Sequence, residues 1–348
     1  MRHIGVDLHK ANFVACFLDT DDAQSIETYP LTREGLTRFK RRLRKVDEVA
    51  VEATQNIHYF YDQVKAHVHR VAVVDTYRFG VIAKSKKKTD KADASALARF
   101  LKLGWLPEVP VPSEQVRMLR QLLQARETLV SMRTKLKNMA HAAFSRNGIA
   151  LTRAAFASRL SRARLVSRDD LPAADLLVLR ACLRQIEQLD SEIKQIEEVA
   201  RHGQALKGLR RLLQVHGLNL LSAISLLAEI RDIELFETSK QLVSYAGLAT
   251  STKQSSETTR HGGITKRGRK RLRTVCIQAV LAMVNRTDTP LMEFYRKKKR
   301  EKGAGKAICA TARKLLTIIF VLLKKELDYW YLEDGLYNRK LRALNAAA

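Results

Sequence analysis

HIGVD, His3 to Asp7, has the apolar and β-branched character of a buried strand and ends on an acid, where burial would otherwise exclude a charge. After a turn over Leu8 to Asn12, Phe13 to Leu18 reads as a second strand. Asp21 and Asp22 mark another turn before a third strand over Ser25 to Tyr29, which gives a three-stranded antiparallel meander. Thr32 opens an amphipathic helix to about Lys45, with Leu36, Phe39 and Leu43 on one stripe and basic residues on the other. VDEVAVE, Val46 to Glu52, is a fourth strand that again ends on an acid.

A helix from about Ile57 to Val68 and an apolar strand from Arg70 to Val74 follow. The order β-β-β-α-β-α-β-α, with an acid on the first strand and another on the fourth, is the layout of a ribonuclease H or RuvC-like fold. In it those two strands lie side by side. Next comes KKKTDKADA, Lys86 to Ala94, in which Thr89 can N-cap a helix and Asp90 and Asp93 stand at i and i+3 of its first turn. Alone, this is ordinary helix chemistry, because a first turn favours acids. An aspartate after a strand is also an ordinary turn residue, and Glu52 alone could cap a helix. The strand order is what joins them: a helix packed beside the two strands would bring Asp7, Glu52, Asp90 and Asp93 together. Four such carboxylates cannot all stay ionised unpaired, and Mg²⁺ with hard oxygen ligands is the usual remedy.

The totals agree with a polyanion-handling protein. In 348 residues the formal net charge is +27, with 46% apolar and 28% charged residues, a globular composition whose field attracts nucleic acid. Cys16, Cys182, Cys276 and Cys309 are scattered without metal-ligand spacing and read as small buried residues of a reducing cytosol. The N-terminus lacks a signal-type apolar stretch, and the apolar run Leu315 to Leu323 falls well short of the ~20 residues that span a bilayer, so the expected location is cytoplasmic, with no membrane partner.

Pro107, Pro110 and Pro112 mark a boundary. Beyond it, Ser113 to about Arg146 and Ala173 to Val199 carry leucine and isoleucine at spacings of three and four, which predicts an antiparallel coiled-coil arm joined by a basic, irregular connector over Arg159 to Arg168. Leu212 to Ile230 reads as helix, a Gly217 turn, and helix, a pattern whose turn can offer N–H groups to a phosphate or can simply be a helical hairpin. SKQLVSYAG, Ser239 to Gly247, is a helix stopped by glycine, followed by the polar tract Thr250 to His261 and then GGITKRGRKRLR. Lys253 and Arg260 within the tract, then Lys266, Arg267, Arg269, Lys270 and Arg273, together with Lys86, Lys87 and Lys88, are the expected phosphate contacts. The expected organisation is α/β plus all-α: a metal-binding domain over 1–108, an arm over 113–200, a mainly helical domain over 203–330, and a tail over 331–348.

HIGVD, VEAT, KTDKADA, YAGL, the serine-rich stretch and G-x-x-K-x-G-x-x-x-L-R stand in the order and spacing that resembles the DEDD transposases of bacterial insertion sequences, over about His3 to Leu323. The resemblance implies a bridge-RNA-guided serine recombinase. Its metal tetrad would fall on Asp7, Glu52, Asp90 and Asp93, and its catalytic serine on Ser255. Two departures stand out: Ser255-Ser256 replaces the common Ser-Gly, which keeps Ser256 as an alternative nucleophile, and Glu52 precedes Ala-Thr-Gln rather than Ala-Thr-Gly. The same resemblance implies donor and target DNA, a noncoding bridge RNA, a homo-oligomer from dimer to tetramer, and action at the nucleoid. A RuvC-like nuclease or junction resolvase, and a non-enzymatic basic scaffold, are the other readings of these residues.

Overall fold

A computed structural model describes residues 1–76, 78–79, 89–167, 171–201, 203, 206–255 and 258–345. The chain divides into two compact units, Met1–Pro112 and Ser113–Ala348.

The first unit is mixed α/β. Strands β1 (His3–Leu8), β2 (Asn12–Leu18), β3 (Gln24–Pro30), β4 (Glu48–Glu52) and β5 (Arg70–Val74) form one sheet in the order β3-β2-β1-β4-β5. The first three pair antiparallel, whereas β1–β4 and β4–β5 are parallel. The two acid-ending strands are therefore neighbours. Helices α1 (Arg33–Arg42) and α2 (Ile57–Val64) cover one face, and α3 (Asp90–Lys102) covers the other.

Alternation along the strands assigns side chains to these two layers. Ile4, Val6, Leu8, Phe13 and Val51 join Leu36, Phe39 and Phe60 in one core. There the Phe13 ring stacks on Tyr29 and meets Phe39 and Phe60 edge-on, at centroid distances of 5.1 to 5.3 Å. The opposite face is built differently. The register aligns Cys16, Gly5, Ala50 and Ala72 across four strands, a trough of small residues. Into it α3 sets Ala94, Leu97 and Ala98. A Cβ on Gly5 would lie 2.0 Å from the Ala94 carbonyl oxygen and 2.4 Å from the Ala98 nitrogen. At position 5 no side chain fits between β1 and α3.

The second unit is mostly helical. Its arm pairs α4 (Glu114–Arg146) with α6 (Ala173–Ala200), and Arg126–Glu197, Arg133–Asp190 and Arg146–Asp175 ion pairs run in opposite senses along the two, as an antiparallel hairpin requires. The stretch expected to be an irregular connector contains a helix, α5 (Arg159–Val166), because Leu165 reaches the apolar cluster of Phe144, Phe156 and Leu179 that closes the arm. Helices α7 (Leu209–Gln214), α8 (Leu220–Ile230), α9 (Ser239–Tyr245), α10 (Lys270–Met283), α11 (Pro290–Lys302) and α12 (Ala304–Lys324) build one core with the arm's root residues Leu119, Leu123 and Ala200. Gly217, at a φ of 76°, owes its identity to packing: a Cβ there would lie 2.3 Å from the Ala279 carbonyl oxygen on α10. The segment 331–348, expected as a tail, carries helix α13 (Asp334–Asn345), which buries Leu344 and donates from Lys340 Nζ to the Leu213 and Val215 carbonyls at 2.8 Å. Among the described residues no helix is long and apolar enough to cross a membrane.

Gly5→Ala is expected to destabilise the first unit by about 2–3 kcal/mol, since backbone on both sides must move. A denaturant melt and amide exchange along α3 measure it. Gly305→Ala, where a Cβ meets nothing within 4 Å, is the neutral control. A Gly5→Ala protein with unchanged stability and full α3 protection would refute this packing account.

Candidate active site

Two residues beyond the small trough, the next sheet row holds the acids. Asp7 pairs with Val14 and Glu52 with Val74, and because Val6 pairs with Val51, Asp7 and Glu52 stand side by side at the ends of adjacent parallel strands. Both lie on the face that α3 covers. Thr89 starts that helix, its side chain accepting from the Ala92 N–H at 3.2 Å, which fixes where the first turn begins. Asp90 and Asp93 occupy that turn. The close approach at Gly5 sets the height of α3 on the sheet, and so the height of its two acids over Asp7.

The side chains of Asp7 and Asp90 meet at His9. Its Nε2 lies 3.1 Å from Asp7 Oδ2 and 3.2 Å from Asp90 Oδ2. The three residues present ligand atoms within 4.8 Å of one another, close enough to hold one ion. Glu52 and Asp93 do not join this cluster. Burial pushes the Asp7 carboxyl above its ordinary pKa against the pull of His9, and the charges of Asp90 and Asp93 push the same way as burial. Hard carboxylate oxygens with one imidazole, at a point where negative charge is poorly neutralised, fit a divalent cation.

His9 was not among the residues expected from sequence. It follows Asp7 by two, the spacing that returns an extended chain to the same side, and the turn carrying it is closed by His9 N–H donating to the Asn12 carbonyl at 2.9 Å. Lys86, Lys87 and Lys88 lie outside the described residues.

In the second unit the polar tract forms a hairpin, β6 (Thr250–Ser255) with β7 (Thr258–Ile264). Ser255 closes β6, paired with Thr258, and Lys253 pairs with Arg260 one step from mid-ladder. Ser256 lies outside the described residues. The strands form because the hairpin's stem is held by two interlocked turns. Thr265 donates to the Ala249 carbonyl at 2.8 Å, Lys266 to Gly247 at 3.1 Å, and Arg269 to Tyr245 at 2.8 Å. Gly247 (φ 67°) and Gly268 (φ 125°) have no room for a side chain, since a Cβ would lie 2.6 Å from the Arg267 carbonyl oxygen and 2.3 Å from that of Tyr245 respectively. YAGL and the G-x-x-K-x-G run are thus the two halves of one structural lock.

The expected phosphate-binding cations divide accordingly. Lys266, Arg267, Arg269 and Lys270 are exposed beside the hairpin stem. Arg273 is half-buried and donates through Nη1 to the Ala246 carbonyl at 2.8 Å, so it helps fasten the lock. Arg269 also reaches the Tyr245 hydroxyl at 3.0 Å and faces the buried Glu229, which Arg120 and Arg271 approach as well.

Comparison with known proteins gives these features a common setting. A DEDD transposase model of the IS110 type matches residues 4–147, and one described as the transposase IS116/IS110/IS902 family matches residues 209–296. A probable family 20 transposase of Pseudomonas aeruginosa is 26% identical over 337 residues, covering 94% of this chain and 98% of that protein. The transposase for insertion sequence element IS1111A of Coxiella burnetii is 26% identical over 336 residues, covering 94% and 91%. A pilin gene-inverting protein of Moraxella bovis is 25% identical over 344 residues, covering 93% and 96%. With one model on the carboxylate unit, the other across the lysine- and arginine-rich lock, and relatives aligned over nearly their whole length, the chain belongs to the IS110/IS116 family of DEDD transposases of insertion sequences.

Proposed function

We propose that this transposase cuts and rejoins DNA through a covalent serine–phosphate link, with Ser255 as nucleophile and Asp7, Glu52, Asp90 and Asp93 as the acids that hold Mg²⁺. The observation that carries the reading is the meeting of Asp7, His9 and Asp90 at the end of β1. The strand order supports a ribonuclease H or RuvC-like identity for the first unit, with Glu52 on the neighbouring strand and Asp93 in the same helical turn as Asp90.

A serine hydroxyl is a poor nucleophile near neutral pH, so the carboxylate unit must contribute. When bound, the divalent ion supplies Lewis acidity at a phosphate oxygen. Of the chain's own groups, the carboxylates hold and orient that charge. The hairpin presents Ser255 from a stem whose geometry is fixed by the Gly247–Gly268 lock, and Lys266, Arg267, Arg269 and Lys270 neutralise the phosphates beside it. Attack forms the Oγ–P bond and breaks the bond from phosphorus to a deoxyribose oxygen, which leaves with the proton that serine gives up. A second sugar hydroxyl then reverses the exchange on a new strand. One phosphodiester is traded for another, so no external energy source is needed.

Donor and target DNA are the substrates, and the family resemblance points to a noncoding bridge RNA that selects them by pairing, a homo-oligomer up to a tetramer, and a cytoplasmic setting at the nucleoid. The Moraxella bovis relative is a pilin gene-inverting protein, and inversion favours cutting with rejoining over a RuvC-like nuclease that only cuts. A basic scaffold without catalysis would leave the carboxylate cluster unused.

Ser255→Ala is expected to abolish both strand exchange and the covalent protein–DNA adduct, by about a thousandfold or more. Retained cutting by that variant would favour the nuclease, while retained exchange with loss in Ser256→Ala would move the nucleophile by one residue. Asp7→Asn should be inactive while still binding DNA; an active Asp7→Asn protein would exclude the carboxylate site. Chelation should stop the reaction and added Mg²⁺ restore it, and activity that persists in excess chelator would contradict a metal role.

A further inference from the structure

We propose that the outer face of α1 is a second nucleic-acid surface, one that holds the phosphate backbone of duplex DNA on the side of the sheet opposite the carboxylates. Between Arg33 and Lys45 the sequence has seven cations and one acid, Glu34. Burial of Gly35, Leu36 and Phe39 against the ring cluster fixes which way the helix faces, and the cations are left on the outside.

Several of those cations are already engaged. Arg42 pairs with Glu27 at 2.6 Å, Lys40 reaches Gln63, Lys45 reaches the Ala66 carbonyl, and Arg38 lies over the Tyr29 ring at 5.7 Å. Among the described residues no carboxylate lies within ion-pair range of Arg33, Arg41 or Arg44. The nearby acid does not serve them either: Glu34 turns to its own N–H and to Thr32 at the helix start, which holds its carboxyl below the ordinary range. A shallow concavity of about 340 Å³ is lined by Arg33, Glu34, Thr37, Arg38 and Arg41, three cations to one acid. From Arg33 to Arg41 is about 12 Å along the helix axis. Arg33 and Arg41 on the rigid helix, with Arg44 just past its end, give three guanidinium groups without a carboxylate partner, an electrostatic cradle for regularly spaced phosphates.

The chemistry of the face selects its occupant. It offers cations on a stiff helix and no exposed aromatic side chain, whereas single strands are gripped by stacking on aromatics. A stiff helical row fits the regular backbone of a duplex, and the family acts on DNA. Because α1 and α3 cover opposite faces of one sheet, a straight duplex on α1 is a different segment from the strand at Asp7. The surface thus provides for a second stretch of DNA, which a strand-exchange reaction has to hold. It rests on DNA binding by the family and is independent of which residue is the nucleophile.

The full-length chain with Arg33→Gln, Arg41→Gln and Arg44→Gln tests this, with binding to a generic DNA duplex of about 30 base pairs read by fluorescence anisotropy over a salt series. Each lost phosphate contact removes about 0.9 from the slope of log affinity against log salt. The expected result is a slope shallower by about two to three, at least tenfold weaker binding at about 0.1 M salt, and an unchanged thermal melt. An equal loss of charge on the arm, Arg180→Gln, Arg184→Gln and Lys194→Gln, should leave the slope near that of the parent. An unchanged slope in the α1 variant would overturn the proposal, as would an equal fall in both variants. Loss of binding to an RNA hairpin with duplex DNA unaffected would overturn the assignment to DNA.

Discussion

The contact between Gly5 and the backbone of α3 at Ala94 and Ala98 is the constraint on which the first unit depends. A strand and a helix normally keep side chains between them. Here the row Cys16, Gly5, Ala50, Ala72 removes those side chains and lets the helix settle directly on β1. Two residues on, the same strands present Asp7 and Glu52, and one turn back along the helix lie Asp90 and Asp93. The trough is therefore a ruler: its depth sets the distance between acids that come from three elements far apart in sequence. The charges gathered there work against folding, since burial and like-charge repulsion both lift the Asp7 pKa. Packing of Leu97 and Leu101, and of the ring cluster on the other face, offsets that cost.

The second unit solves a comparable problem with glycines of a different kind. Gly247 and Gly268 sit at positive φ and press against each other's turns, so a two-stranded hairpin, marginal by itself, gains a rigid base. Arginines around it have separate tasks. Arg273 and Arg271 are drawn inward, to the Ala246 carbonyl and to Glu127 and Gln124 of the arm, while Lys266, Arg267 and Lys270 stay in solvent. The arm's root thereby shares residues with the foundation of the serine hairpin. A run of cations that looks uniform in sequence is part fastening and part surface.

Much of this was legible in the residues. HIGVD and VDEVAVE announce strands ending in acids, and the element order places them side by side, because alternation and turn chemistry are local signals. His9 was missed because a lone histidine after a strand is indistinguishable from a turn residue until α3 brings Asp90 to it. The hairpin at Thr250–Ser255 was missed because its strands have no apolar alternation; their pairing comes from a lock closed by residues on both flanks. Helix α13 was missed for a related reason, as Lys340 finds its acceptors, the Leu213 and Val215 carbonyls, over a hundred residues earlier, and Leu344 joins the core of the whole second unit. Glu52 and Asp93 show the converse. Sequence order groups them with Asp7 and Asp90, and the backbone places Glu52 on the adjacent strand and Asp93 in the same helical turn, yet the cluster of ligand atoms is made with His9.

The proposed reaction depends on a divalent cation held where β1 meets the first turn of α3. Anomalous scattering from crystals of the protein grown with Mn²⁺ tests it most directly. The expected peak is bonded to carboxylate oxygens of Asp7 and Asp90 at about 2.0–2.3 Å, the range of hard cation–oxygen bonds. A peak held by other residues, or no peak at these carboxylates in crystals that bind the ion elsewhere, would contradict it.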